Sequence, residues 1–205
     1  YVIALLSEWG VDTRYVGRDA SALTPVVLAA LAPPEEPQII FYRGQAAPDT
    51  TVTQGELPVD DVRECRVLWM SQGALALGAT AESSFAWLEL RGRSDDRDTV
   101  LDLDYRPTMW SSVHEARVAA QRAIAQSSVV VGNRTECEMA VGLDEPDAIV
   151  DDLLERGVRL AIVKLGGGGV LVADSSDKMR IDPLDIDVLC GLGAGDAFGG
   201  ALVHG

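Results

Sequence analysis

"SSVVVGNRTECEMAVGLDEPDAIVDDLLERGVRLAIVKL", residues 127–165, decides the fold. Its first six residues carry an unbroken apolar run without polar alternation, the pattern of a strand covered on both faces. "EPDAIVDDLLERG" opens a helix on Pro146, presents Ile149, Leu153 and Leu154 inward, and ends on Gly157. Proline suits a first helical turn because its missing N–H is one that the helix leaves unpaired anyway, and glycine suits the residue just past the end. "LAIVKL" then returns as a second apolar strand. A strand, a helical return and a second buried strand make a parallel β-α-β unit.

The same order extends outward. Upstream, "SVHEARVAAQRAIAQ" puts Val113, Ala116, Ala120, Ala123 and Ile124 near one helical face, and "TVLDL" makes a strand over 99–103. Before them lie the helix "TAESSFAWLELRG", with Phe85, Trp87 and Leu88 toward the core and a stop at Gly92, and a buried strand near 66–70. "TPVVLAALAPPEEPQIIFYR" predicts a β-hairpin, with strands over 24–31 and 38–43 and a Pro-Pro-Glu-Glu-Pro turn that fits neither helix nor sheet. Downstream, "GVLVAD" adds another strand. The expected fold class is α/β, a three-layer arrangement with a largely parallel central sheet flanked by helices on both faces, plus the hairpin. There is no internal repeat, low-complexity tract or linker in the 205 residues, so one partial domain over 1–205 is expected.

Composition narrows the function. Seventeen Lys and Arg against 32 Asp and Glu give a net charge of −15, which argues against nucleic acid as a partner, since a phosphate-backbone binder needs a basic face. Cys65, Cys137 and Cys190 are odd in number and widely spaced, and are expected to be reduced, buried small residues. His114 and His204 lack a ligand pattern around them, so a zinc site is not expected. "YVIALLSEWG" has neither the basic flank nor the cleavage pattern of a signal peptide, and nowhere do about 18 apolar residues run on. A membrane is therefore not expected as a partner, and a cytoplasmic location is. The missing initiator Met and the final glycine in a helical pattern lead to the expectation of a piece of a longer protein.

Ligands of such sheets collect where strands end, and four polar clusters fall there. "LDLDYRP" brings Asp102, Asp104 and Arg106 to the end of a strand; Arg106 suits a carboxylate or phosphate, or it pairs internally with an aspartate. "GNRTECEMAVG" places Asn133 and Glu136 at a helix start, where Asn-x-x-Glu is also a capping box. In "VKLGGGGVL" Lys164 precedes Gly166 to Gly169, either as a hairpin turn or as backbone lying flat against a nucleotide. It is not a P-loop, because the lysine precedes the glycines. In "GLGAGDAFGGALVHG", residues 191–205, the amides of Gly193, Ala194 and Gly195 open a helix and Asp196 stands in its first turn. An anion could meet those amides while Asp196 takes a proton from a hydroxyl; alternatively the aspartate merely complements the helix dipole.

Together, in this order, the clusters resemble the ribokinase-like (PfkB) carbohydrate kinases. "GAGDAFGGAL" is similar to the family's C-terminal signature, "NRTE" to its Asn-x-x-Glu, and "KLGGGG" to the strand and glycine turn of its ATP site. "LDLDYRPTMW", "GNRTECEMAVG" and "GLGAGDAFGGALVHG" look closer still to one branch, the 5-dehydro-2-deoxygluconokinases of myo-inositol breakdown. The resemblance implies a ribokinase-like fold and a cytoplasmic kinase using ATP and Mg²⁺ on an acid sugar. A 2-keto-3-deoxygluconate kinase is the nearest alternative, and a catalytically idle sugar-binding relative is an alternative of another class. It implies that Asp196 is the base and that Gly193, Ala194 and Gly195 form the anion hole. Asn133 and Glu136 would arrange Mg²⁺, with Asn133, Lys164, Gly166 and Gly169 lining the nucleotide. "FYR" resembles the substrate strand of ketodeoxygluconate kinases, so Arg43 and Arg106, with Asp104, would grip the sugar. The family's N-terminal Gly-Gly sugar motif and the C-terminal helices that close its adenine site are not in 1–205. The resemblance leaves a homodimer open.

Overall fold

The computed structural model describes residues 1–31, 38–43 and 47–204. A short helix α1 (Val2–Glu8) comes first, followed by β1 (Val26–Ala30) and β2 (Gln38–Tyr42), which pair antiparallel as a two-stranded sheet of their own. The expected hairpin is therefore present, while its Pro-Pro-Glu-Glu-Pro turn lies outside the described residues. Along β2 the period of two turns Ile39 and Phe41, both partly buried, to one side and leaves Ile40 and Tyr42 exposed.

The chain then runs α2 (Val59–Glu64), β3 (Val67–Ser71), α3 (Gly78–Arg91), β4 (Asp98–Asp102), α4 (Val113–Ile124) and β5 (Val129–Asn133). It continues with α5 (Arg134–Val141), α6 (Pro146–Glu155), β6 (Leu160–Lys164), β7 (Val170–Ala173), β8 (Lys178–Ile181) and α7 (Ala194–His204). The six strands β3 to β8 lie in sequence order; β3 to β6 are mutually parallel, and β7 and β8 add antiparallel at the far edge. The sheet is thus largely parallel, as the sequence implies. β8 departs from expectation: Lys178, Met179, Arg180 and Ile181 are all exposed, so no apolar run announces the strand.

Alternation along the strands divides the interior in two. Leu68, Met70, Leu101, Val130, Ala161, Val163 and Leu171 face the large cluster formed with α3 to α6, where Leu88, Ala120, Ile124, Ile149 and Leu153 are completely buried. Val67, Trp69, Val100, Val129, Val131, Ile162 and Val172 face the other way, and there Phe198 and Leu202 of α7 pack on them. Among the described residues, the second face carries only α7. Helices thus flank both faces, as expected, with more of them on the first.

Two further expectations need correction. Val113 shares its helical angle with Ala116 and Ala120 but is 53% exposed, because it is the first residue of α4 and the burying neighbours act on later turns. Of the cysteines only Cys137 is buried; Cys65 is partly exposed and Cys190 is exposed on the extended segment before α7.

How closely α7 approaches the sheet depends on Gly199. A Cβ there would sit 2.6 Å from the Trp69 ring, so the helix rests on the indole only because the position has no side chain. Gly199→Ala should lower stability by about 1–3 kcal/mol, the usual cost of overpacking. Denaturant unfolding of the intact protein checks this, and a change below about 0.5 kcal/mol, the size of an ordinary surface substitution, would mean that α7 does not bear on Trp69.

Candidate active site

The parallel strands end in polar residues aimed at the α7 side. Val100 of β4, Val131 of β5 and Ile162 of β6 lie on that face, so two residues further on the alternation delivers Asp102, Asn133 and Lys164 to it. Trp69 does the same for Ser71 of β3. These four side chains, with the start of α7, line a cleft of about 700 Å³ that also includes Asp104, Arg106, Glu136, Gly166, Gly169 and Asp196. Asp196 is exposed and, among the described residues, makes no hydrogen bond or ion pair, so its carboxylate stands open to the cleft.

At the start of α7, Gly193 has φ +81, a left-handed conformation natural to glycine. The Ala194 N–H donates to the Gly191 carbonyl at 3.2 Å. One of the three amides expected to meet an anion is therefore occupied here. Among the described residues, the amides of Gly193 and Gly195 have no backbone acceptor. The Lys164 Nζ lies 3.4 Å from where a Gly195 Cβ would stand, an ordinary contact distance, so the ammonium sits against the helix start. Among the described residues no carboxylate lies within ion-pair distance of it.

Asn133 caps α5, its Oδ1 accepting from the Glu136 N–H at 2.9 Å, and the Glu136 Oε2 accepts from the Asn133 N–H at 2.6 Å. The capping box that the sequence allows is formed, and it also lines the cleft. Gly166–Gly168 make a tight turn joining β6 to antiparallel β7, so the hairpin reading of the four glycines holds as well. Gly169 has φ +81, and a Cβ there would lie 2.0 Å from the Ile181 carbonyl oxygen; β8 demands this glycine irrespective of any ligand.

Beside the cleft a smaller pocket of about 300 Å³ shares Ser71, Asp104 and Arg106 with it. Its wall includes Phe41 and Arg43 from the hairpin, while Ile39, two residues earlier on the same side, borders the cleft itself. Both arginines are held by aspartates: Arg106 Nη2 lies 2.5 Å from Asp104 Oδ1, and Arg43 Nη2 lies 2.6 Å from Asp49 Oδ2. The internal pairing considered for Arg106 is real, and it leaves Asp104 Oδ2 free of that contact. The structure thus brings every residue singled out above into two adjoining cavities. It adds Ser71, Trp69 and Ile39, none of which stood in a motif.

The architecture of a largely parallel sheet with a separate small antiparallel sheet has close counterparts among solved structures. A fructokinase from Vibrio cholerae with fructose, ADP and calcium ion bound aligns with a TM-score of 0.84 at 22% identity, over 98% of this chain and 64% of that one. Aminoimidazole riboside kinase from Salmonella enterica, complexed with aminoimidazole riboside and an ATP analog, aligns at 0.83 and 22%, with the same coverage. The model of the pfkB family carbohydrate kinases matches residues 1–205, and the chain belongs to that family. Among curated relatives, the 5-dehydro-2-deoxygluconokinase of Clostridium tetani is 26% identical over the whole of this chain. That of Listeria innocua is 29% identical over 84% of it. The chain spans 62% of the length of the first of these and 53% of the second.

Burial pushes the Glu136 carboxyl up to about 7, although the Asn133 N–H and Lys164 favour its ionised form; Asp102 and Asp104 add to the rise. The unfolded chain releases this proton near the ordinary value of 4.5 and the folded chain only near 7. Between these values the folded state holds more protons, so this group's contribution to stability falls as pH rises. Gln can complete the capping box without ionising. In metal-free buffer the melting temperature of Glu136→Gln should therefore match the parent near pH 4.5 and gain on it up to about pH 7.5. Parallel curves would show that the carboxyl is not raised.

Proposed function

We propose that the intact protein is a sugar kinase that transfers the terminal phosphoryl group of ATP to a hydroxyl of an acid sugar, of which 5-dehydro-2-deoxygluconate is the first candidate. The single observation that carries this reading is the junction of two unlike cavities. One is a cleft with exposed amides, Lys164 and an unpartnered Asp196; the other is a pocket holding two arginines, and Ser71, Asp104 and Arg106 border both. A sugar in the smaller pocket would extend a hydroxyl toward Asp196, and phosphate would lie along the start of α7. The names of the curated relatives supply the candidate sugar, and 2-keto-3-deoxygluconate is the alternative.

In this reading Asp196 accepts the proton of the attacking hydroxyl. The amides of Gly193 and Gly195 and the positive end of α7 stabilise charge growing on the transferred group, where preorganised dipoles act most strongly. Ala194 joins them once its bond to Gly191 opens. Lys164 adds a point charge beside the same amides, and Gly166 and Gly169 present backbone to the nucleotide. Arg43 and Arg106 bind the substrate carboxylate, their forks oriented by Asp49 and Asp104.

The oxygen-rich lining suits Mg²⁺, a hard ion that keeps most of its waters. Glu136 caps with one oxygen and keeps the other, so Glu136 and Asn133 would hold the hydrated ion. No three carboxylates among the described residues lie close enough to cage a metal unaided, which fits an ion shared with substrate phosphates. When bound, it would neutralise phosphate charge.

Asp196→Asn should lower kcat at least about 100-fold with little change in ATP affinity, because general-base assistance is worth about 10²–10⁴. Steady-state kinetics with calorimetric nucleotide binding measure this; a kcat within a few-fold of the parent would remove Asp196 from the chemistry. Arg106→Ala should raise KM for the acid sugar about 10- to 100-fold, the worth of a charge-assisted pair, and leave KM for ATP within about threefold. A parent enzyme that phosphorylates neutral fructose or ribose better than any acid sugar would overturn the substrate reading.

A further inference from the structure

Asp102 is the cleft carboxylate with no assignment. It closes β4 on the face that α7 covers, in register with Ser71 of β3 and Val131 of β5, and it is partly buried. Of the carboxylates near it, Asp104 holds Arg106 and Glu136 caps α5, whereas Asp196 is unpartnered among the described residues. Among the described residues the Asp102 carboxylate makes neither a hydrogen bond nor an ion pair. Burial raises its carboxyl pKa, with Asp104 and Asp196 adding to the rise and Lys164 and Arg106 opposing it. The cleft lining as a whole carries four carboxylates, Asp102, Asp104, Glu136 and Asp196, against two cations, Lys164 and Arg106, one of which is already paired.

From this arrangement we propose that Asp102 is a specificity-determining residue that makes nucleotide binding conditional on a divalent cation. The inference rests on the kinase reading. An unpaired, poorly solvated carboxylate repels a bare polyphosphate laid along α7, and repulsion across a partly dry cleft is screened far less than on an open surface. A nucleotide whose phosphates already carry a divalent cation meets much less of that repulsion. Asp102 acts here through its charge alone; neither contact with the ion nor proton transfer is required of it. Lys164 attracts either form, and Asp102 supplies the discrimination that a lysine and backbone amides lack.

The test is calorimetric binding of ADP to the intact protein, with Mg²⁺ and with EDTA, and without sugar. The parent should bind ADP much more tightly with Mg²⁺. In Asp102→Asn the ratio of the two affinities should shrink on the order of 10-fold, mainly through tighter metal-free binding, a size in keeping with one partly screened charge. Asp102→Ser, smaller and also neutral, should behave alike and carries the test if the Asn variant does not fold. Asp102→Glu should keep the parent ratio. A ratio in both neutral variants within about twofold of the parent's, or a Glu variant that behaves like the Asn one, would overturn the role. A parent that binds no ADP even with Mg²⁺ would instead overturn the kinase reading.

Discussion

The approach of α7 to the sheet is the constraint on which the rest of the site depends. A helix with a side chain at position 199 would be held away from Trp69. Here Gly199 lets the backbone rest on the indole, and the Lys164 ammonium lies against the first turn at Gly195. Phe198 and Leu202 pack on the same face of the sheet and add the apolar burial that keeps the helix seated. Asp196 takes its position from this packing, since among the described residues no hydrogen bond or ion pair fixes its carboxylate. Its aim therefore depends on the backbone of α7, which in turn depends on the absent side chain at Gly199.

The anion site proposed for this chain of net charge −15 has to be local. At physiological ionic strength fields decay over about 8 Å, so a distant acidic surface matters little beside a lysine and unpaired amides at close range. The smaller pocket follows the same economy. Arg43 and Arg106 are each paired with an aspartate, which spends part of their charge but fixes the planar forks in direction. Oriented guanidinium groups distinguish a carboxylate from a hydroxyl by geometry as well as by sign.

The strands that carry the site were legible because they are buried on both faces. Unbroken runs such as Val129-Val130-Val131 and Leu160-Ala161-Ile162-Val163 leave no other reading between turn signals. β8 was illegible for the opposite reason, as an exposed edge strand needs no apolar pattern and Lys178 to Ile181 has none. Val113 misled because helical angle predicts burial only where a neighbour extends over it. In the site, the motifs announced themselves by residue type, Asp102 among them in "LDLDYRP", but the sequence did not set its free carboxylate apart from the paired Asp104. Ile39 comes from a hairpin whose reach over the cleft is a matter of tertiary placement. The pairing of Ala194 with Gly191 is likewise a detail of backbone geometry.

Structural and functional readings of the same residues, which looked like rivals in the sequence, are compatible in space. Glu136 spends one carboxylate oxygen on the cap of α5 and keeps the other; Gly169 is required by the passage of β8 and also presents bare backbone to the cleft. This overlap follows from where the cleft lies. The ends of parallel strands and the starts of the helices that follow are where the chain must cap and turn. The side chains that do so already face the space a ligand would enter. A capping carboxylate at such a junction already accepts a backbone hydrogen bond before any ligand arrives, so its orientation is set during folding. A ligand that used the remaining oxygen would meet a group already fixed in place, and the cap that stabilises α5 would reduce the ordering cost of binding.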